Sequence, residues 1–332
     1  MQILMRHLVR IRPHGLITMA CLLTAAPVLA QETFPARPIR LILGFSAGGI
    51  SDVLGRTLAA KMSTTLGHPM VVENKPGAGS TIAGDFIAKS PPDGYTIWLQ
   101  DMTSHAINAA LYPKLPYDSI KDFTPVTLVA FSPLLLAVHP SQPVKNVQEL
   151  IDLLKANPGK LSYATAGAGT PNHLAAELLK RNAGIPDVTH VPYKGSAPSA
   201  AAILANEITF SFLSMPPAIA NVAAGKLRAL AVTSVTRVGA VPQVPTMVEA
   251  GVPDFDIVVN TGILAPARIP AAIVARLNAE FAKAVADPEV KTVFGKVGAE
   301  GASTTPEAMR ALMEKDIARL APLVKASGAK ID

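Results

Sequence analysis

The chain has 332 residues, of which 49% are apolar, 16% charged and 5% aromatic, so its length suits two domains and its composition excludes disorder over most of the chain. Its 29 prolines exceed the usual share of about 5% and argue against a coiled coil or a helical bundle. Without Arg6, Arg10 and Arg12 the formal net charge falls from +6 to +3, because 27 basic and 24 acidic residues remain. A net charge of +3 does not indicate a nucleic-acid-binding protein.

Residues 1–30 have the pattern of a secretory signal peptide. Three arginines without an acidic residue precede an apolar stretch at residues 16–26, and residues 28–30 place small side chains at both positions that a signal peptidase reads. We therefore expect export, with a mature chain that begins at Gln31. A retained membrane anchor is a weaker alternative, because the apolar stretch is too short to span a bilayer.

The single cysteine, Cys21, lies inside this leader. The mature chain would therefore have no disulfide, thiolate nucleophile or cysteine-ligated metal. A lipoprotein that begins at Cys21 is a weaker alternative, because only residues 16–20 would form its apolar core. The longest uncharged run of the mature chain spans residues 123–144, and its four prolines predict two buried strands joined by a turn rather than a membrane helix.

Short apolar runs bounded by Gly, Pro or Asp recur along the mature chain and predict strands, and longer stretches between them predict helices. The predicted strands span residues 39–45, 70–73, 95–99, 126–130, 134–138, 161–165, 189–191, 208–213, 227–233, 256–259 and 262–264. The predicted helices span residues 50–66, 147–156, 171–182, 197–205, 217–224, 270–286 and 306–325. Because the strand runs are continuously apolar, the sheets should be covered on both faces.

This alternation predicts an α/β fold with mostly parallel sheets flanked by helices. We expect two lobes: residues 31–130 and 255–332 form the first, and residues 131–254 form the second. The chain would cross between them near residues 130–133 and 254–256. Proteins of this architecture bind ligands in the cleft between the lobes, where strand ends meet helix starts.

The most informative motif is glycine-rich, spans residues 44–52, and lies directly after a strand and at a helix start. We interpret it as an anion-binding loop, because Gly48 and Gly49 let backbone amides approach a carboxylate where the helix dipole favours negative charge. Residues 44–48 also fit the G-x-S-x-G pattern of a nucleophile elbow on Ser46. Too few mature residues precede Ser46 to form the earlier strands of such a hydrolase. A purely structural turn is the third alternative.

Residues 166–173 repeat this arrangement in the other lobe. Thr170 is a suitable N-cap and Pro171 a suitable first helical residue. Two facing helix starts would hold an anion from both sides and close around it without a metal. His173 is explained more simply by helix packing than by ligand contact.

Two further turns carry polar side chains. At residues 71–80 a strand leads into a glycine turn and then a helix, and Glu73 and Asn74 either bind ligand or, more simply, fix the turn by hydrogen bonds. In the turn at residues 191–196, Lys194 either adds a cation to the cleft or is solvated. Neither metal-site nor phosphate-loop patterns occur in the sequence, so no metal and no cofactor is expected.

Seven segments in a fixed order carry a resemblance to one family across essentially the whole mature chain. They are F-x-x-G-G-x-x-D from residue 45, V-V-E-N-x-x-G-A-G from 71, D-G-Y-T from 93, Y-D-x-x-x-D-F-x-P-V from 117, V-P-Y-K-G-S from 191, A-G-K-L-R-A-L-A-V-T-S from 224 and V-P-T-M-x-E-A-G from 244. In combination they resemble the Bug-type extracytoplasmic solute receptors of tripartite tricarboxylate transporters.

The resemblance implies a two-lobed periplasmic-binding-protein clamshell in the periplasm. It implies a monomer without enzymatic activity that captures a small carboxylate and delivers it to the membrane permease subunits. In this family, backbone amides and ordered waters at the two glycine-rich loops hold the carboxylate, and polar residues elsewhere in the cleft hold the other end. The candidate ligand-binding residues are Phe45, Ser46, Ala47, Gly48, Gly49, Asp52, Ala78, Asp101, Thr103, Ser104, Ala166, Gly167, Ala168, Gly169, Thr170, His173, Lys194 and Ser214.

Several alternatives stay open at this point. A secreted serine hydrolase that uses Ser46 is the enzymatic alternative, and a ligand-sensing lobe for a two-component system is another. Dicarboxylates, tricarboxylates, amino acids and aromatic acids all remain possible ligands. Lys75 stands where arginine is common in the family, which weakens any bidentate role for this residue. The negative charge of Asp101 would repel a dianion, which suggests a ligand with an amino or hydroxyl donor.

Overall fold

The computed structural model describes residues 34–185, 187–327 and 329. The predicted signal peptide, with Cys21 and the cleavage site before Gln31, lies outside these residues. From Pro35 onward the chain forms one compact unit in which strands and helices alternate, which confirms the α/β class. Within this part of the chain, no helix combines the length and the apolar character that a membrane crossing requires.

The described residues contain ten strands, most of them close to the predicted positions. They are β1 (Ile39–Leu43), β2 (Met70–Asn74), β3 (Thr96–Asp101), β4 (Phe123–Val138), β5 (Ser162–Thr165), β6 (Thr189–Pro192), β7 (Phe210–Ser214), β8 (Arg228–Val232), β9 (Val258–Pro266) and β10 (Glu300–Gly301).

Ten α-helices connect these strands in the described part of the chain, and a 3-10 turn (Ala78–Ser80) precedes the second helix. The helices are α1 (Ile50–Leu66), α2 (Thr81–Ala88), α3 (Met102–Leu111), α4 (Val147–Ala156), α5 (Pro171–Ala183), α6 (Ser196–Leu204), α7 (Met215–Ala223), α8 (Ala271–Ala286), α9 (Pro288–Lys296) and α10 (Pro306–Ser327). Two of them, α3 and α9, are absent from the sequence-based predictions, and α2 is the helix expected directly after the turn at residues 71–80.

The strands form one curled sheet in the order β2-β1-β3-β9-β4-β7-β5-β6, and β8 and β10 also pair with β4. Parallel pairs lie toward the two ends of this order, and antiparallel pairs lie in the middle. Residues 123–133 of β4 pair with β9, and residues 134–138 pair with β7. We call β1–β3, β9, β10 and residues 123–133 the first half-sheet, and β5–β8 and residues 134–138 the second half-sheet.

The prediction of two strands with a turn within residues 123–144 is wrong, because β4 continues through the segment as a single strand. Pro125 lies at a register shift in the pairing with β9, and Pro133 is the last residue to pair with β9 before β7 takes over at Leu134. Proline is tolerated at such irregular positions, where the ladder does not need its missing N–H.

The two short strands predicted at residues 256–259 and 262–264 are also one strand, β9. Asn260 pairs with Phe131 and Thr261 pairs with Ala130, so the ladder with β4 carries the strand through the predicted gap. Strand continuity here is therefore determined by a partner that is more than a hundred residues away.

Hydrophobic clusters cover the sheet on both faces. One cluster surrounds Trp98 in the first half-sheet, and another surrounds Leu213 in the second. The largest cluster joins the two, since it contains Leu111 of α3, Leu174 of α5 and Leu320 of α10. These three helices thus provide an apolar contact between the half-sheets.

The topology determines where the helix starts lie. The strands β1, β3, β5, β6 and β7 are each followed within a few residues by a helix. Because the carboxyl ends of neighbouring parallel strands lie along one edge of a sheet, the starts of these helices gather at the same edge. The glycine-rich loops predicted to bind an anion lie at this edge.

Candidate ligand-binding site

A small cavity lies where the two half-sheets meet, and we call it the central cavity. Its volume is about 30 Å³, which is room for about two water molecules. Its walls come from both half-sheets and consist of Phe45, Gly49, Ile50, Ser51, Asp101, Leu134, Ala166, Asn172, Ser196, Ser214 and Val259.

Five helices begin at the wall of the central cavity, each contributing an N-cap or first-turn residue: Gly49 of α1, Asp101 of α3, Asn172 of α5, Ser196 of α6 and Ser214 of α7. The first amides of a helix have no acceptor within it, and the helix dipole places partial positive charge there. None of the described lining residues is Lys or Arg, and no cluster of described side chains is suited to hold a metal ion. The helix starts are therefore the positive elements that an anion in this cavity would meet.

The first glycine-rich loop is held in place by Asp52 and Asn74. Asp52 Oδ2 accepts a hydrogen bond from the Gly48 amide at 3.1 Å, and Asp52 Oδ1 accepts one from Arg56 Nε at 3.0 Å. Asn74 Nδ2 donates to Asp52 Oδ1 at 3.2 Å and to Phe45 O at 2.9 Å. Burial alone would raise the pKa of Asp52, but hydrogen bonds from Arg56, Gly48 and Asn74 hold this pKa below its ordinary value. Asp52 and Asn74 position the loop without lining the cavity.

The first loop directly contacts the turn before α6. Ser46 N donates to Lys194 O at 3.1 Å, and a side chain at Gly195 would overlap Ser46 Oγ. The Lys194 side chain is exposed, so this residue contacts the loop through its backbone carbonyl. Ser46 Oγ has no hydrogen-bond partner among the described residues, and no histidine lines the cavity, so the geometry gives no support to the hydrolase alternative.

The second glycine-rich loop uses much of its hydrogen-bonding capacity internally. The Gly167 amide donates to Thr165 Oγ1 at 3.2 Å, and Thr170 Oγ1 donates to Gly167 O at 2.7 Å. Thr170 also caps α5 through its side chain. From this region, Ala166 and Asn172 line the central cavity.

His173 lies beneath the second loop. Its Nδ1 accepts the Gly169 amide at 3.4 Å, and its ring stacks on His190 with the centroids 4.2 Å apart. Burial, reinforced by the nearby His190 and Lys180, lowers the pKa of His173 to about 3. The ring is therefore neutral at physiological pH and supports the loop as an acceptor, without lining the cavity.

The 3-10 turn before α2 forms another contact between the half-sheets. Asn108 Nδ2 donates to Gly79 O at 2.8 Å, and Tyr112 Oη donates to Ala78 O at 3.1 Å. Gly79 has a φ of 59°, and a side chain at this position would overlap the backbone oxygen of Ala168. Ala78 is exposed beside this contact and does not line the cavity wall.

Asp101 caps α3 and faces the central cavity. Its Oδ1 accepts the Ser104 amide at 2.9 Å, and its Oδ2 accepts the Ser104 hydroxyl at 2.6 Å. Burial raises the pKa of Asp101 to about 6, and the hydrogen bonds from Ser104 and the Thr103 amide limit the rise. Thr103 Oγ1 donates to Val258 O and accepts from Asn260 N, both at 3.0 Å. Of the three candidates in this segment, Asp101 lines the cavity and Thr103 and Ser104 do not.

The structure brings five of the candidate residues to the cavity wall: Phe45, Gly49, Asp101, Ala166 and Ser214. The remaining candidates lie in the adjoining loops and helix starts, where they support the wall or join the half-sheets. They are Ser46, Ala47, Gly48, Asp52, Ala78, Thr103, Ser104, Gly167, Ala168, Gly169, Thr170, His173 and Lys194.

Sequence analysis missed six lining residues: Ile50, Ser51, Leu134, Asn172, Ser196 and Val259. Three of these lie in the first turn of a predicted helix and Ser196 lies directly before one, so the helix-start argument that selected the loops also applies to them. Leu134 and Val259 lie within strands that reach the cavity through long-range pairing, and no local pattern marks them.

A larger cavity of about 490 Å³ lies on the opposite face of the β4–β9 pair, and we call it the back cavity. Phe131, Pro133 and Val258 line the back cavity, whereas Leu134 and Val259 line the central cavity. This division follows the alternation of side chains along a strand. The two cavities are thus placed back to back across the same strand pair.

The profile of the tripartite tricarboxylate transporter family receptor matches residues 54–329. The chain is 34% identical to the R. palustris protein Rpa4515 with adipate, with a TM-score of 0.87 over 90% of this chain and 100% of that chain. It is 33% identical to the periplasmic binding protein BugD, with a TM-score of 0.86 over 90% and 100% of the two chains. It is also 33% identical to MatC from Rhodopseudomonas palustris with bound malate, with a TM-score of 0.83 over 88% and 100%.

Proposed function

The chain belongs to the tripartite tricarboxylate transporter receptor family and has the two-lobed α/β fold of periplasmic binding proteins, and from this premise we propose that it captures a small carboxylate and delivers it to the membrane subunits of such a transporter. The observation that carries the proposal is the convergence of five helix starts on one cavity whose described walls hold no cationic side chain.

Helix starts suit the reversible capture of a carboxylate. Their amides donate hydrogen bonds in fixed directions, and their partial charges neutralise an anion without burying a full cation. The start of α1 comes from the first half-sheet, and the starts of α5, α6 and α7 come from the second. A carboxylate bound among them would therefore hold the two half-sheets together.

Two similar proteins support this ligand class, since their structures contain adipate and malate. Both compounds are small aliphatic dicarboxylates. The proposed ligand of this chain is accordingly a small di- or tricarboxylate or an amino or aromatic acid, whose carboxylate contacts the amides at the start of α1.

We include a division into lobes in the proposal. Residues 31–130 and 255–332 form one lobe, residues 131–254 form the other, and the lobes open about the strand crossings near residues 130–133 and 254–256. A cavity of about 30 Å³ is too small for a dicarboxylate, so ligand binding requires this opening. The exported chain, cleaved after the leader, would act in the periplasm as a monomer without enzymatic activity.

A substitution at Gly49 tests the proposal. Gly49 is the N-cap of α1, it has an extended backbone, and the nearest atom to an added Cβ would be Ser46 O at 3.9 Å. Both Asp and Asn fit this position and are good N-caps. Gly49→Asp places a negative charge at the cavity wall, and Gly49→Asn is its neutral isostere.

The measurement is a thermal-shift screen of the mature chain against a panel of organic acids, followed by calorimetry. We expect at least one carboxylate to stabilise the wild-type chain, and a hundredfold excess over Kd adds about 2.7 kcal/mol. Gly49→Asp should bind that ligand at least about tenfold more weakly than Gly49→Asn, because the introduced carboxylate repels the ligand. Flat melting curves across the panel, or equal affinities of the two variants, would overturn the proposal.

A further inference from the structure

Asp101 is the one ionisable side chain among the described residues that line the central cavity. It is only 6% exposed, and none of the ion pairs between described residues includes it. Its pKa of about 6 leaves it mostly ionised at neutral pH, so it acts there as a hydrogen-bond acceptor. Hydrogen bonds from Ser104 and the Thr103 amide stabilise this charge at the start of α3, but a ligand carboxylate placed beside it would still be repelled.

Hydroxyl groups extend from Asp101 along one face of the sheet. In the strand ladders, Asp101 pairs with Thr261, Ser132 pairs with Val259, and Leu134 pairs with Ser214. Directly opposed residues face the same side, and residues two apart on a strand share a face. Because Asp101, Val259, Leu134 and Ser214 line the central cavity, Thr261 and Ser132 share their face.

Three hydroxyls of this row are buried and have no hydrogen-bond partner among the described residues. They belong to Ser132, Ser214 and Thr261, which are 1%, 5% and 1% exposed. Buried hydroxyls are normally paired, so the Ser214 hydroxyl at the cavity wall is free to bind a polar group there, and Ser132 and Thr261 lie on the same face behind the wall. A Ser or Thr hydroxyl can donate or accept a hydrogen bond, whereas the ionised carboxylate of Asp101 can only accept one.

The helix starts divide into two groups. Side chains cap α3 and α5, through Asp101 and Thr170, whereas α1, α6 and α7 have no side-chain cap. The three uncapped starts adjoin each other. Ser46 before α1 bonds to Lys194 before α6, and the Ser214 amide at α7 donates to Ser196 Oγ of α6 at 2.8 Å.

The cavity wall therefore carries groups of opposite polarity. Free amides and partial positive charge gather at the starts of α1 and α6, whereas α7 adds mainly its dipole because Pro216 and Pro217 have no N–H. The carboxylate of Asp101 lies at the start of α3. A molecule with carboxylates alone would place its oxygens against the acceptors of Asp101. A molecule that also carries a donor would match both kinds of group.

We propose that the ligand is a small carboxylate that also bears a hydrogen-bond donor, an ammonium or a hydroxyl group, with its carboxylate at the starts of α1 and α6 and its donor on Asp101. This inference rests on the proposed function and narrows it to a ligand class.

The experiment compares matched acids by calorimetry on the mature chain. The sets are succinate, malate and aspartate; glutarate, 2-hydroxyglutarate and glutamate; and propionate, lactate and alanine. Each set keeps the carbon skeleton and changes the donor. We expect at least one set to bind, with a donor-bearing member about tenfold or more tighter than the unsubstituted acid, because hydrogen bonds to charged groups are stronger than neutral ones.

Two variants identify the residue responsible. Asp101→Asn keeps the shape of the side chain and its capping oxygen, and should reduce the donor preference to less than about threefold while succinate or glutarate binds as well as before or better. The control is Asp152→Asn, which removes one negative charge from an exposed position on α4 and should keep the preference. Circular dichroism confirms that each variant is folded, and the wild-type ranking is measured independently of both.

The outcomes separate the two proposals. Tight binding of an unsubstituted acid, with donor-bearing acids no better, would overturn this inference and leave the carboxylate receptor standing. An unchanged preference in Asp101→Asn would also overturn it. Failure of every carboxylate to bind would overturn the proposed function, and this inference with it.

Discussion

The two glycine-rich loops follow equivalent strands and open equivalent helices, yet they are built differently. In the first loop, α1 begins at Gly49 without a side-chain cap, and Gly49, Ile50 and Ser51 all line the central cavity. In the second loop, Thr170 caps α5, so fewer of its backbone groups face the cavity. Similar sequence patterns thus produce one helix start that is open to a ligand and one that is closed by the protein.

The two glycine-rich loops are also held in place by different kinds of contact. The first loop depends on Asp52 and Asn74, whose hydrogen bonds come from outside the loop and leave the helix start free. The second loop is braced from within by Thr165 and Thr170 and from below by His173. The capping residue therefore distinguishes a binding loop from a framework loop better than its glycine content does. Three substitutions test this distinction, from the largest expected effect to the smallest.

The strongest test is the acid sensitivity of the second loop. The pKa of His173 is about 3 in the folded protein and about 6.5 in the unfolded chain, so the unfolded state binds more protons between these values. The stability that His173 contributes is present above pH 6.5 and is lost as the pH falls toward 3. We expect the free energy of unfolding to be about 2.5 kcal/mol lower at pH 4.5 than at pH 7 on account of this residue.

The variant His173→Gln removes the titrating ring and keeps an acceptor. Chemical denaturation at several pH values should show a shallower loss of stability for the variant than for the wild type. If the two proteins lost stability in parallel below pH 6.5, the neutral ring would not brace the second loop.

The next test changes the contact between the 3-10 turn and the second loop. Gly79→Ala adds a Cβ that overlaps Ala168 O at a positive φ, and we expect it to destabilise the protein by about 2 kcal/mol and to weaken ligand binding by opposing closure. Gly184→Ala is the matched control, since Gly184 has a φ of 61° and nothing lies within 4 Å of an added Cβ. It should cost about 1 kcal/mol and leave affinity unchanged.

Thermal denaturation and calorimetry of both glycine variants provide the measurements. Equal losses of stability and unchanged affinity in both would mean that the 3-10 turn does not contribute to closure.

The smallest expected effect comes from removing the N-cap of α5. Thr170→Ala should destabilise the protein by about 1 kcal/mol, because α5 loses its cap and Gly167 O loses a donor. Thr170→Ser keeps the hydroxyl and should be nearly neutral. Ligand affinity should change less than about threefold in both, in contrast to the effect of Gly49→Asp. A tenfold loss of affinity in Thr170→Ala alone would place Thr170 in the binding site and remove the distinction between the loops.

The local sequence determines much of this fold. Continuous apolar runs predict most strands, and Gly or Pro at their ends predicts the limits of α1, α4, α5 and α8 within a residue or two. The helix α3 was missed because it is enclosed on nearly all sides and shows no apolar stripe: Thr103, Ser104, His105 and Asn108 are all buried. The helix α2 spans only eight residues and follows a turn with positive φ angles at Ala78 and Ser80.

The site was predictable to the extent that it depends on helix starts. The pattern of strand, glycine and helix located both loops, and Asp101 and Ser214 were found at strand ends. The half-sheets meet through the long-range pairing of β4 and β9. This meeting determines where the Lys194 side chain points and brings Leu134 and Val259 to the cavity. Local patterns carry no information about such contacts.

The back cavity has a consequence for how a molecule of this shape moves. Adjacent residues of β9, Val258 and Val259, face opposite spaces, so rotation of one half-sheet about this strand pair widens the space on one face as it narrows the space on the other. In the proposed opening and closing, the back cavity would gain solvent when the ligand is bound and lose it when the ligand is released. Hydration of a surface remote from the ligand would then contribute to the free energy of binding.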